Sequence, residues 1–413
     1  MNNIFDELKR RGCIAQTSHP EELEALFANE SVTFYCGFDI TADSLHVGHL
    51  VPMIMMAHLQ KAGHRPLILM GGGTTMIGDP SGKTEMRSIL SKETIDMYKK
   101  GIRPQLEKLF DFGEGKAQAM VLDNADWLLK LNYIDFLREI GSHFSVNRML
   151  TAETYKARLE REGGGLSFIE LNYMIVQSYD FLALNRNFGC KVQLGGDDQW
   201  SNILSGADLI RRVDRKQAYA MTLPLLTTTD GKKMGKTEKG AVWLDANRTS
   251  PYEFYQYWRN THDSDVKEYL TRLTFLPLQE AERLGNAEGS AINESKKILA
   301  YELTKLVHGE AAADEAAKSA AALFTGGGDN SAMPHTTITP AELEAGLPII
   351  DALTLTGLCP SKSVARRLVQ QGGVAVNNEK IADIEHKLLP SDMKDGKIII
   401  RKGKKDYHAI KSL

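Results

Sequence analysis

Short apolar runs alternate with longer amphipathic segments through the first half of the chain. The apolar runs predict strands, and they lie at residues 32–38, 65–72, 116–123 and 192–194. Helical spacing predicts helices at residues 3–12 and 45–61. Strands that alternate with helices favour a parallel sheet with right-handed crossovers. Such sheets bind ligands at the carboxyl ends of their strands, and glycine-rich loops follow the second and fourth runs.

The second half of the chain predicts a different organisation. Residues 251–323 are helical, residues 326–340 have the composition of a linker, and a small basic segment follows. The whole pattern predicts an α/β protein with four parts. They are a Rossmann-like parallel-sheet domain at 1–230 with a helical insertion at about 126–168, a lysine loop with an α-helical domain at 231–325, a linker at 326–345 and a small α+β domain at 346–413.

Charge is distributed unevenly along the 413 residues. The net charge is −3, yet residues 351–413 hold twelve Lys or Arg and seven Asp or Glu. That segment therefore carries +5, and residues 1–350 carry −8. A basic lobe on an acidic body fits contact with a polyanion, and it also fits a lysine-rich solvated surface. Charge alone leaves both interpretations open.

The cysteines and the apolar runs bear on the compartment. The four cysteines are far apart and lack metal-ligand spacing; they are Cys13, Cys36, Cys190 and Cys359. We expect free thiols in a reducing compartment, the cytoplasm. The N-terminal segment predicts an amphipathic helix rather than a signal peptide. No apolar run approaches the roughly 20 residues that span a bilayer, so we expect no membrane association.

The first chemical motif is His46-Val47-Gly48-His49, directly after a predicted strand and turn. Gly48 lets a nucleotide approach the backbone closely. His46 and His49 share one face of the first helical turn, where backbone amides attract anions. Asp43 and Ser44 are the expected caps of that turn. The alternative interpretation is a pair of surface histidines near a helix start.

The second motif is a lysine loop at residues 232–237 (KKMGKT), which follows a Thr-Asp-Gly turn. Lys233 and Lys236 can fold over a triphosphate and neutralise charge as pyrophosphate departs. Gly235 gives the loop freedom to close. On its own such a segment is typical of a mobile basic surface loop. Its position about 185 residues after the histidine motif, in an α/β pattern, favours the nucleotide interpretation.

Together the two motifs resemble the signatures of class I aminoacyl-tRNA synthetases. A closer resemblance, to the bacterial type of tyrosyl-tRNA synthetase, extends over essentially the whole chain. It rests on four further segments, residues 35–39 (YCGFD), 77–82 (IGDPSG), 173–180 (YMIVQSYD) and 195–199 (GGDDQ). Gly235 and Thr237 depart from the general class pattern, and tyrosyl enzymes of this type share that departure. The resemblance implies a Rossmann-like catalytic domain, an α-helical domain and a small S4-like domain.

The resemblance also implies which residues hold tyrosine. Tyr35 and Asp180 contact the phenol hydroxyl. Leaving them unpaired, as phenylalanine would, costs about 1–3 kcal/mol for each buried group. Tyr173, Gln177 and Asp180 are spaced to share one helix face. Tyr173 and Gln177, together with Asp79, hold the α-ammonium group.

An ATP site and a set of catalytic residues are implied in the same way. The ATP-binding residues are Gly37, Asp39, Gly48, Gly196, Asp198 and Lys236. The catalytic residues are Thr41, His46, His49, Lys233, Lys236 and Thr237. Gln199 contacts the ribose or the carboxylate region of tyrosine, and Lys83 and Arg87 assist pyrophosphate or the acceptor end of tRNA. Mg²⁺ arrives with ATP, held by phosphates and water, and no protein-bound metal is expected.

The basic C-terminal lobe resembles S4-type RNA-binding domains. A helix capped by Ser361 is followed by a hairpin at residues 374–378. Phosphate contacts give affinity more than sequence choice. The implied contacts to tRNA(Tyr) are Lys362, Arg366, Arg367 and Lys380.

The implied activity is that of a tyrosine–tRNA ligase. Such an enzyme activates L-tyrosine with ATP, releasing pyrophosphate, and transfers tyrosine to the 3′-terminal adenosine of tRNA(Tyr). The resemblance also implies a homodimer whose contact lies near Phe168. Three alternatives stay open: a tryptophanyl-type synthetase, a small-molecule nucleotidyltransferase and a non-catalytic S4-type RNA-binding paralogue. The first should lack the Tyr35–Asp180 pair, the second rarely has a lysine loop, and the third should have lost signature residues.

Overall fold

The computed structural model describes residues 3–80, 90–160, 165–227, 236–237, 240–325, 333–403 and 406–412. Backbone contacts divide the chain into two compact units. One comprises Met1–Arg248 with His262–Ser295, and the other comprises Thr249–Thr261 with Lys296–Leu413. The four-part domain division stays a prediction.

The first unit is built on a five-stranded parallel sheet. Its strands are β1 (Thr33–Phe38), β2 (Arg65–Met70), β3 (Met120–Asp123), β4 (Val192–Gly196) and β5 (Tyr219–Leu223). They lie in the order β3-β2-β1-β4-β5, and every neighbouring pair is parallel. The four predicted strands are confirmed, whereas β5 was not predicted. The α/β fold class is therefore confirmed for this unit.

Two helices precede β1, and further helices connect the strands. They are α1 (Ile4–Arg10), α2 (Pro20–Asn29), α3 (Val47–Lys61), α4 (Thr74–Ile77), α5 (Lys92–Leu106), α6 (Ala125–Leu128), α7 (Tyr133–Glu139), α8 (Val146–Met149), α9 (Glu153–Glu160), α10 (Phe168–Phe188) and α11 (Trp200–Asp214). Four short helices, α6 to α9, occupy the segment predicted as a helical insertion. They precede α10, the longest of these helices.

Helices α3 and α10 are held in place by their sequences. Residues 53–60 of α3 are all buried, because a helix that is apolar on all sides belongs in the core. Ser167 and Glu170 form a reciprocal capping box at the start of α10. Gly189 ends α10 at φ 65°, in the left-handed region that favours glycine. Phe181 of α10 is fully buried in the same apolar cluster as Tyr35.

The loops after the central strands meet at one edge of the sheet. β1 pairs with β2 on one side and with β4 on the other. The chain leaves β1 towards β2 and returns to the opposite side only at β4, so a topological switch point lies beside β1. Parallel sheets bind ligands in the crevice at such a point. The residues that follow these strands at that edge are Asp39, Gly71, Asn124 and Asp197.

Beyond β5 the chain forms a short hairpin and five helices. They are β6 (Lys236–Thr237), β7 (Gly240–Ala241), α12 (Pro251–Arg259), α13 (Val266–Leu273), α14 (Leu278–Gly285), α15 (Ile292–His308) and α16 (Glu310–Thr325). The hairpin, α13 and α14 belong to the first unit, and α12 and α16 belong to the second. None of the helices in the described ranges has both the length and the apolar character required to cross a membrane.

The C-terminal part of the second unit is a small α+β fold. Its elements are β8 (His335–Ile338), α17 (Pro340–Glu344), β9 (Leu347–Pro348), α18 (Ile349–Leu355), α19 (Lys362–Gln370), β10 (Val374–Val376), β11 (Glu379–Ile381), β12 (Lys387–Leu388), β13 (Lys397–Lys402) and β14 (Asp406–Ser412). The main sheet has the order β11-β10-β13-β14-β8. Its buried cluster joins α18 and α19 to the sheet through Leu353, Val369 and Ile398.

The predicted helix and hairpin of this lobe are confirmed. Ser361 caps α19, where its hydroxyl accepts a hydrogen bond from the Val364 amide at 3.4 Å. Asn377 and Asn378 turn the β10–β11 hairpin with φ of 49° and 73°, which asparagine tolerates better than most residues. Residues 335–338 were expected to be linker, yet they form β8 and pair in parallel with β14.

Candidate active site at the carboxyl edge of the sheet

The histidine motif caps α3 with its own side chains. His46 is the N-cap residue, and its Nδ1 accepts a hydrogen bond from the Gly48 amide at 3.1 Å. His49 Nδ1 accepts from the His46 amide, also at 3.1 Å. The prediction that Asp43 and Ser44 cap this turn was wrong, because the Ser44 hydroxyl instead donates to the Leu45 carbonyl at 2.8 Å.

These hydrogen bonds fix the protonation of the two rings. Because Nδ1 accepts in both rings, each neutral imidazole carries its proton on Nε2. Burial and the neighbouring His46 lower the pKa of His49 to about 3. The ring centroids of His46 and His49 are 4.0 Å apart. At neutral pH His49 is therefore a neutral N–H donor rather than a cation.

The segment after the lysine loop is tied to the histidine motif. The Val47 amide donates to the Val242 carbonyl at 3.0 Å, and the Leu244 amide donates to the Leu45 carbonyl at 2.8 Å. Trp243, between these two residues, places its ring 6.1 Å from that of His46. The segment at residues 242–244, which follows the lysine loop, is thus joined to the start of α3 although the two are distant in sequence.

Arg248 anchors that segment from the other side. Its guanidinium lies 3.7 Å from the centre of the Trp243 ring. It also donates to Asp43 Oδ1 at 2.6 Å. The backbones of Lys236 and Thr237 form β6, which pairs with β7 a few residues before Trp243. The side chains of Lys236 and Thr237, and the whole of Lys83, Arg87, Lys233 and Gly235, lie outside the described residues.

A buried carboxylate, Asp180, lies close enough to a buried phenol, Tyr35, for its charge to raise the pKa of the phenol. Asp180 is 2% exposed and Tyr35 is 1% exposed. Asp180 Oδ2 accepts from Asn124 Nδ2 at 2.9 Å, and Asp180 Oδ1 accepts from Trp127 Nε1 at 2.7 Å. The Tyr35 hydroxyl is buried and has no hydrogen-bond partner among the described residues. A buried hydroxyl without a partner is costly, so this one is suited to a ligand that supplies the partner.

Burial controls the ionisation of this pair. It raises the pKa of Asp180 to about 7, against the hydrogen bonds from Asn124 and Trp127, which lower it. The nearby carboxylates of Asp39 and Asp123 raise it further. Burial and the Asp180 charge raise the pKa of Tyr35 well above its usual value. The Tyr35 hydroxyl is therefore protonated, and the carboxyl group of Asp180 changes its ionisation near neutral pH.

Asn124 and Trp127, which the sequence analysis did not identify, belong to this site because both donate to Asp180. Asn124 is 1% exposed, and its Oδ1 accepts from the Gly73 amide at 2.7 Å. Its Nδ2 also donates to Thr74 Oγ1 at 3.0 Å, and Thr74 Oγ1 donates to Asp39 Oδ1 at 3.1 Å. The Asp-Asn turn at the end of the third strand was the only sequence signal for this network.

The predicted ammonium-binding residues lie on α10 and at the loop after α4. Tyr173 is buried, and Gln177 presents a buried Oε1 that has no partner among the described residues. Asp79 Oδ2 accepts from Gln199 Nε2 at 2.9 Å. Gln199 Oε1 in turn accepts from Asn202 at 3.1 Å. The predicted tyrosine-binding residues Asp79 and Gln199 are thus in direct contact, although they are 120 positions apart.

Among the predicted ATP-binding residues whose side chains the structure describes, Gly37 is exposed, and Asp39, Gly48, Gly196 and Asp198 are half-buried. A Cβ added to Gly37 would meet nothing within 4 Å, whereas one added to Gly196 would lie 2.7 Å from Asp198 Oδ1. Asp197 fixes this loop, because its Oδ1 accepts from Gln16 at 2.7 Å and from Thr222 at 2.8 Å. Thr41 is exposed and Gly48 is half-buried on the first turn of α3. In the described ranges no cluster of three His, Cys, Asp or Glu could hold a metal ion.

The predicted RNA contacts lie together on the C-terminal lobe. Lys362, Arg366 and Arg367 are exposed on α19, and Lys362 pairs with Asp351 at 2.7 Å. Lys380 on β11 lies against the end of α19, where a Cβ on Gly372 would be 2.7 Å from Lys380 Nζ. The lobe therefore presents its basic side chains along one helix and the adjacent strand.

Two family models match the chain almost end to end. The one described as tRNA synthetases class I (W and Y) matches residues 28–325. The one described as the tyrosine–tRNA ligase SYY-like C-terminal domain matches residues 329–410. The two matches divide the chain between residues 325 and 329.

Individual relatives agree with these matches. The tyrosine–tRNA ligase of Acetivibrio thermocellus is 57% identical over 411 residues, which cover 100% of both chains. That of Clostridium tetani is 57% identical over 409 residues, covering 99% of each. Among solved structures, a C-terminally truncated mitochondrial tyrosyl-tRNA synthetase from Aspergillus nidulans is similar with a TM-score of 0.71. It is 29% identical and covers 78% of this chain and 95% of its own.

Proposed function

The chain belongs to the class I tyrosyl-tRNA synthetases, and on that premise we propose how its residues bind the substrates and which partners it takes. It is a tyrosine–tRNA ligase. It activates L-tyrosine with ATP to tyrosyl-adenylate and pyrophosphate, then transfers tyrosine to the 3′-terminal adenosine of tRNA(Tyr). The observation that carries the assignment is the full-length identity with tyrosine–tRNA ligases.

Tyrosine enters with its phenol hydroxyl between Tyr35 and Asp180. The hydroxyl donates to the Asp180 carboxylate and accepts from the Tyr35 hydroxyl, which has no partner among the described residues. The α-ammonium group then meets Tyr173, Asp79 and the buried Oε1 of Gln177. This pose supplies partners to two buried polar atoms, and that match supports it.

ATP takes the open part of the edge. Gly37, Gly48 and Gly196 allow close approach to the backbone, since glycine carries no side chain of its own. Asp39 and Asp198 offer acceptors for amino or ribose hydroxyl groups, and Gln199 contacts the ribose or the tyrosine carboxylate. The link from Asp180 through Asn124 and Thr74 to Asp39 connects the two substrate positions.

Activation is an in-line displacement at the α-phosphorus. A carboxylate oxygen of tyrosine forms the new O–P bond, and pyrophosphate leaves with the electron pair of the broken bond. The tyrosine carboxylate is already ionised, so the step needs no general base. The groups that stabilise the developing charge are His46, His49, Lys233 and Lys236, with Thr41 and Thr237 beside the phosphates. Mg²⁺ accompanies ATP and is held by its phosphates and water.

An ATP–pyrophosphate exchange assay over all standard amino acids tests the activation step. We expect exchange with tyrosine alone. We expect Lys236→Ala to reduce it by about 10²-fold or more, because a cation that stabilises the departing pyrophosphate is lost. Lys216→Ala is the control, since Lys216 is an exposed lysine between α11 and β5. Exchange with tryptophan would contradict the pocket assignment, and no exchange by folded protein with Mg²⁺ would contradict activation.

The second step requires tRNA(Tyr), and the C-terminal lobe is proposed to hold it. The exposed cations on α19 and β11 suit RNA phosphates, which draw Lys and Arg by charge. The proposed contacts are Lys362, Arg366, Arg367 and Lys380. The four cysteines are free and buried, which supports a reducing compartment, the cytoplasm.

The enzyme is proposed to act as a homodimer. Of thirteen large hydrophobic residues that are exposed in the described ranges, eight lie between residues 129 and 169. Phe168 is the most exposed of them, at 67%. Such a concentration of exposed apolar side chains is typical of a protein interface. The inserted helices and the start of α10 are therefore the proposed contact.

Phe168→Asp is expected to convert the dimer to monomers, because it places a charge where the partner would bury an aromatic ring. Sedimentation velocity at working concentration measures the change. Met97→Asp is the control, since Met97 is 58% exposed on α5, outside the inserted helices. A wild-type chain that sediments as a monomer, or a Phe168→Asp variant that remains a dimer, would contradict the proposed contact.

A further inference from the structure

Lys99 on α5 forms a half-buried ion pair at the end of β3. Its Nζ donates to Asp123 Oδ2 and, at 2.7 Å, to Asp96 Oδ1. The Lys99 and Asp123 side chains are only 19% and 22% exposed. Burial opposes the charge of Lys99, but the hydrogen bonds to Asp123 and Asp96 prevail and raise its pKa. The pair is therefore screened less by solvent than an ordinary surface salt bridge.

Two further features of the structure constrain Asp123. Its Oδ1 accepts from the Ala125 amide at 2.9 Å. Its carboxylate also occupies the space that a side chain on Gly72 would need, since a Cβ there would lie 2.9 Å from Asp123 Oδ2. Asp123 thus lies between the end of β3 and the loop after β2, and Lys99 is the cation that balances its charge.

The next residue is Asn124, which donates to Asp180. Asn124 also holds the Gly73 amide, so its orientation depends on how β3 ends relative to the glycine loop. Asp39 and Asp123 both oppose ionisation of Asp180, as their effect on its pKa shows. Removing the Lys99 charge would leave Asp123 unbalanced next to that carboxylate.

We propose that Lys99 is a positioning residue for tyrosine recognition, which pairs with Asp123 and thereby holds Asn124 and Asp180 in the geometry that accepts the substrate hydroxyl. The proposal rests on the proposed role of Asp180 and deepens it. Lys99 touches no substrate, and its effect passes through Asp123 and Asn124. It should therefore act on tyrosine binding and on tyrosine-over-phenylalanine discrimination rather than on the ATP site.

Exchange kinetics of Lys99→Met, Lys99→Arg and Lys100→Met in the full-length enzyme test this. For Lys99→Met we expect the KM for tyrosine to rise about tenfold, since an orienting charged hydrogen bond is lost. The preference for tyrosine over phenylalanine should fall by a similar factor, while kcat and the KM for ATP change less than about twofold. Lys99→Arg keeps the charge and should recover most of the tyrosine affinity. Lys100 is exposed on the same helix, and Lys100→Met should match the wild type.

The possible outcomes distinguish a failure of the role of Lys99 from a failure of the role of Asp180. Two results would overturn the positioning role. In one, Lys99→Met lowers kcat and raises the KM for tyrosine and the KM for ATP by similar factors. In the other, Lys99→Met has the same kinetics as Lys100→Met. An Asp180→Asn variant with unchanged discrimination would instead overturn the role of Asp180. Thermal unfolding of each variant accompanies the kinetics, and a tyrosine-specific defect in a variant of wild-type Tm supports the proposal.

Discussion

Replacing His46 with asparagine is expected to slow tyrosine activation by about 10²- to 10³-fold, the usual loss when a donor to transition-state charge is removed. His46 has two functions in the structure. Its Nδ1 caps α3 by accepting from the Gly48 amide, and its Nε2–H is proposed to donate to the phosphates. The Oδ1 atom of asparagine can accept the capping hydrogen bond in place of Nδ1. Asparagine has no group that reaches the position of Nε2. Asparagine is also a favoured helix cap, so the fold should persist.

Glutamine provides the matched comparison, because its side-chain amide reaches the position of Nε2 but not that of Nδ1. His46→Gln should therefore retain more of the activation rate than His46→Asn, while it loses the cap and up to about 2 kcal/mol of stability. Pre-steady-state formation of tyrosyl-adenylate measures the rate, and thermal unfolding measures the cap. If asparagine preserves the rate and glutamine abolishes it, His46 serves only as a cap.

The site could be predicted from sequence wherever one helix or one turn carries the pattern. Tyr173, Gln177 and Asp180 share a face because helical spacing places them there, and the structure puts all three on α10. The cap at α3 could not be predicted, because Asp43 and Ser44 are better N-cap types than histidine. His46 is the cap because backbone pairing with Val242 and Leu244 fixes where the helix begins.

Contacts between distant segments were beyond prediction from local patterns. Asn124 and Trp127 lie in an unremarkable turn and helix, and only the pairing of β3 with β2 brings them to Asp180. In the same way, β5 is a five-residue strand whose burial depends on its pairing with β4. Residues 335–338 were predicted to be linker because of their composition. They become a strand because β14 offers an unpaired edge, which is tertiary context.

A second large effect is expected from pH. The KM for tyrosine should be about tenfold higher at pH 6 than at pH 8, because the free carboxyl group of Asp180 titrates between them. Burial raises the pKa of this carboxyl to about 7. Its two oxygens already accept from Asn124 and Trp127, so a protonated Asp180 is a poor acceptor for the substrate hydroxyl. Each unit of pH below 7 then reduces the binding-competent fraction about tenfold.

The groups around Asp180 explain why the pH dependence of the KM for tyrosine should report the ionisation of Asp180. Tyr35 faces it from β1 and stays protonated, since burial and the Asp180 charge raise its pKa. Asp39 and Asp123 face it from the ends of β1 and β3, and both oppose its ionisation. The KM for ATP should stay flat over the same range, because the ATP positions do not include Asp180.

The same ionisation predicts the sign of a stability change. Asp180 has a folded-state pKa above its ordinary value of 3.8, so its stabilising contribution is greatest below that value and is lost as the pH rises through about 7. Asp180→Asn cannot titrate. The Tm of Asp180→Asn relative to the wild type should therefore increase from pH 5 to pH 8, and its KM for tyrosine should be high and independent of pH.

The contradicting result is a wild-type KM for tyrosine that stays constant from pH 8 to pH 6, while Asp180→Asn still raises that KM. It would mean that bound water or neighbouring dipoles keep Asp180 ionised. Selectivity for tyrosine would then rest on a permanent charge, and acidification could not weaken it.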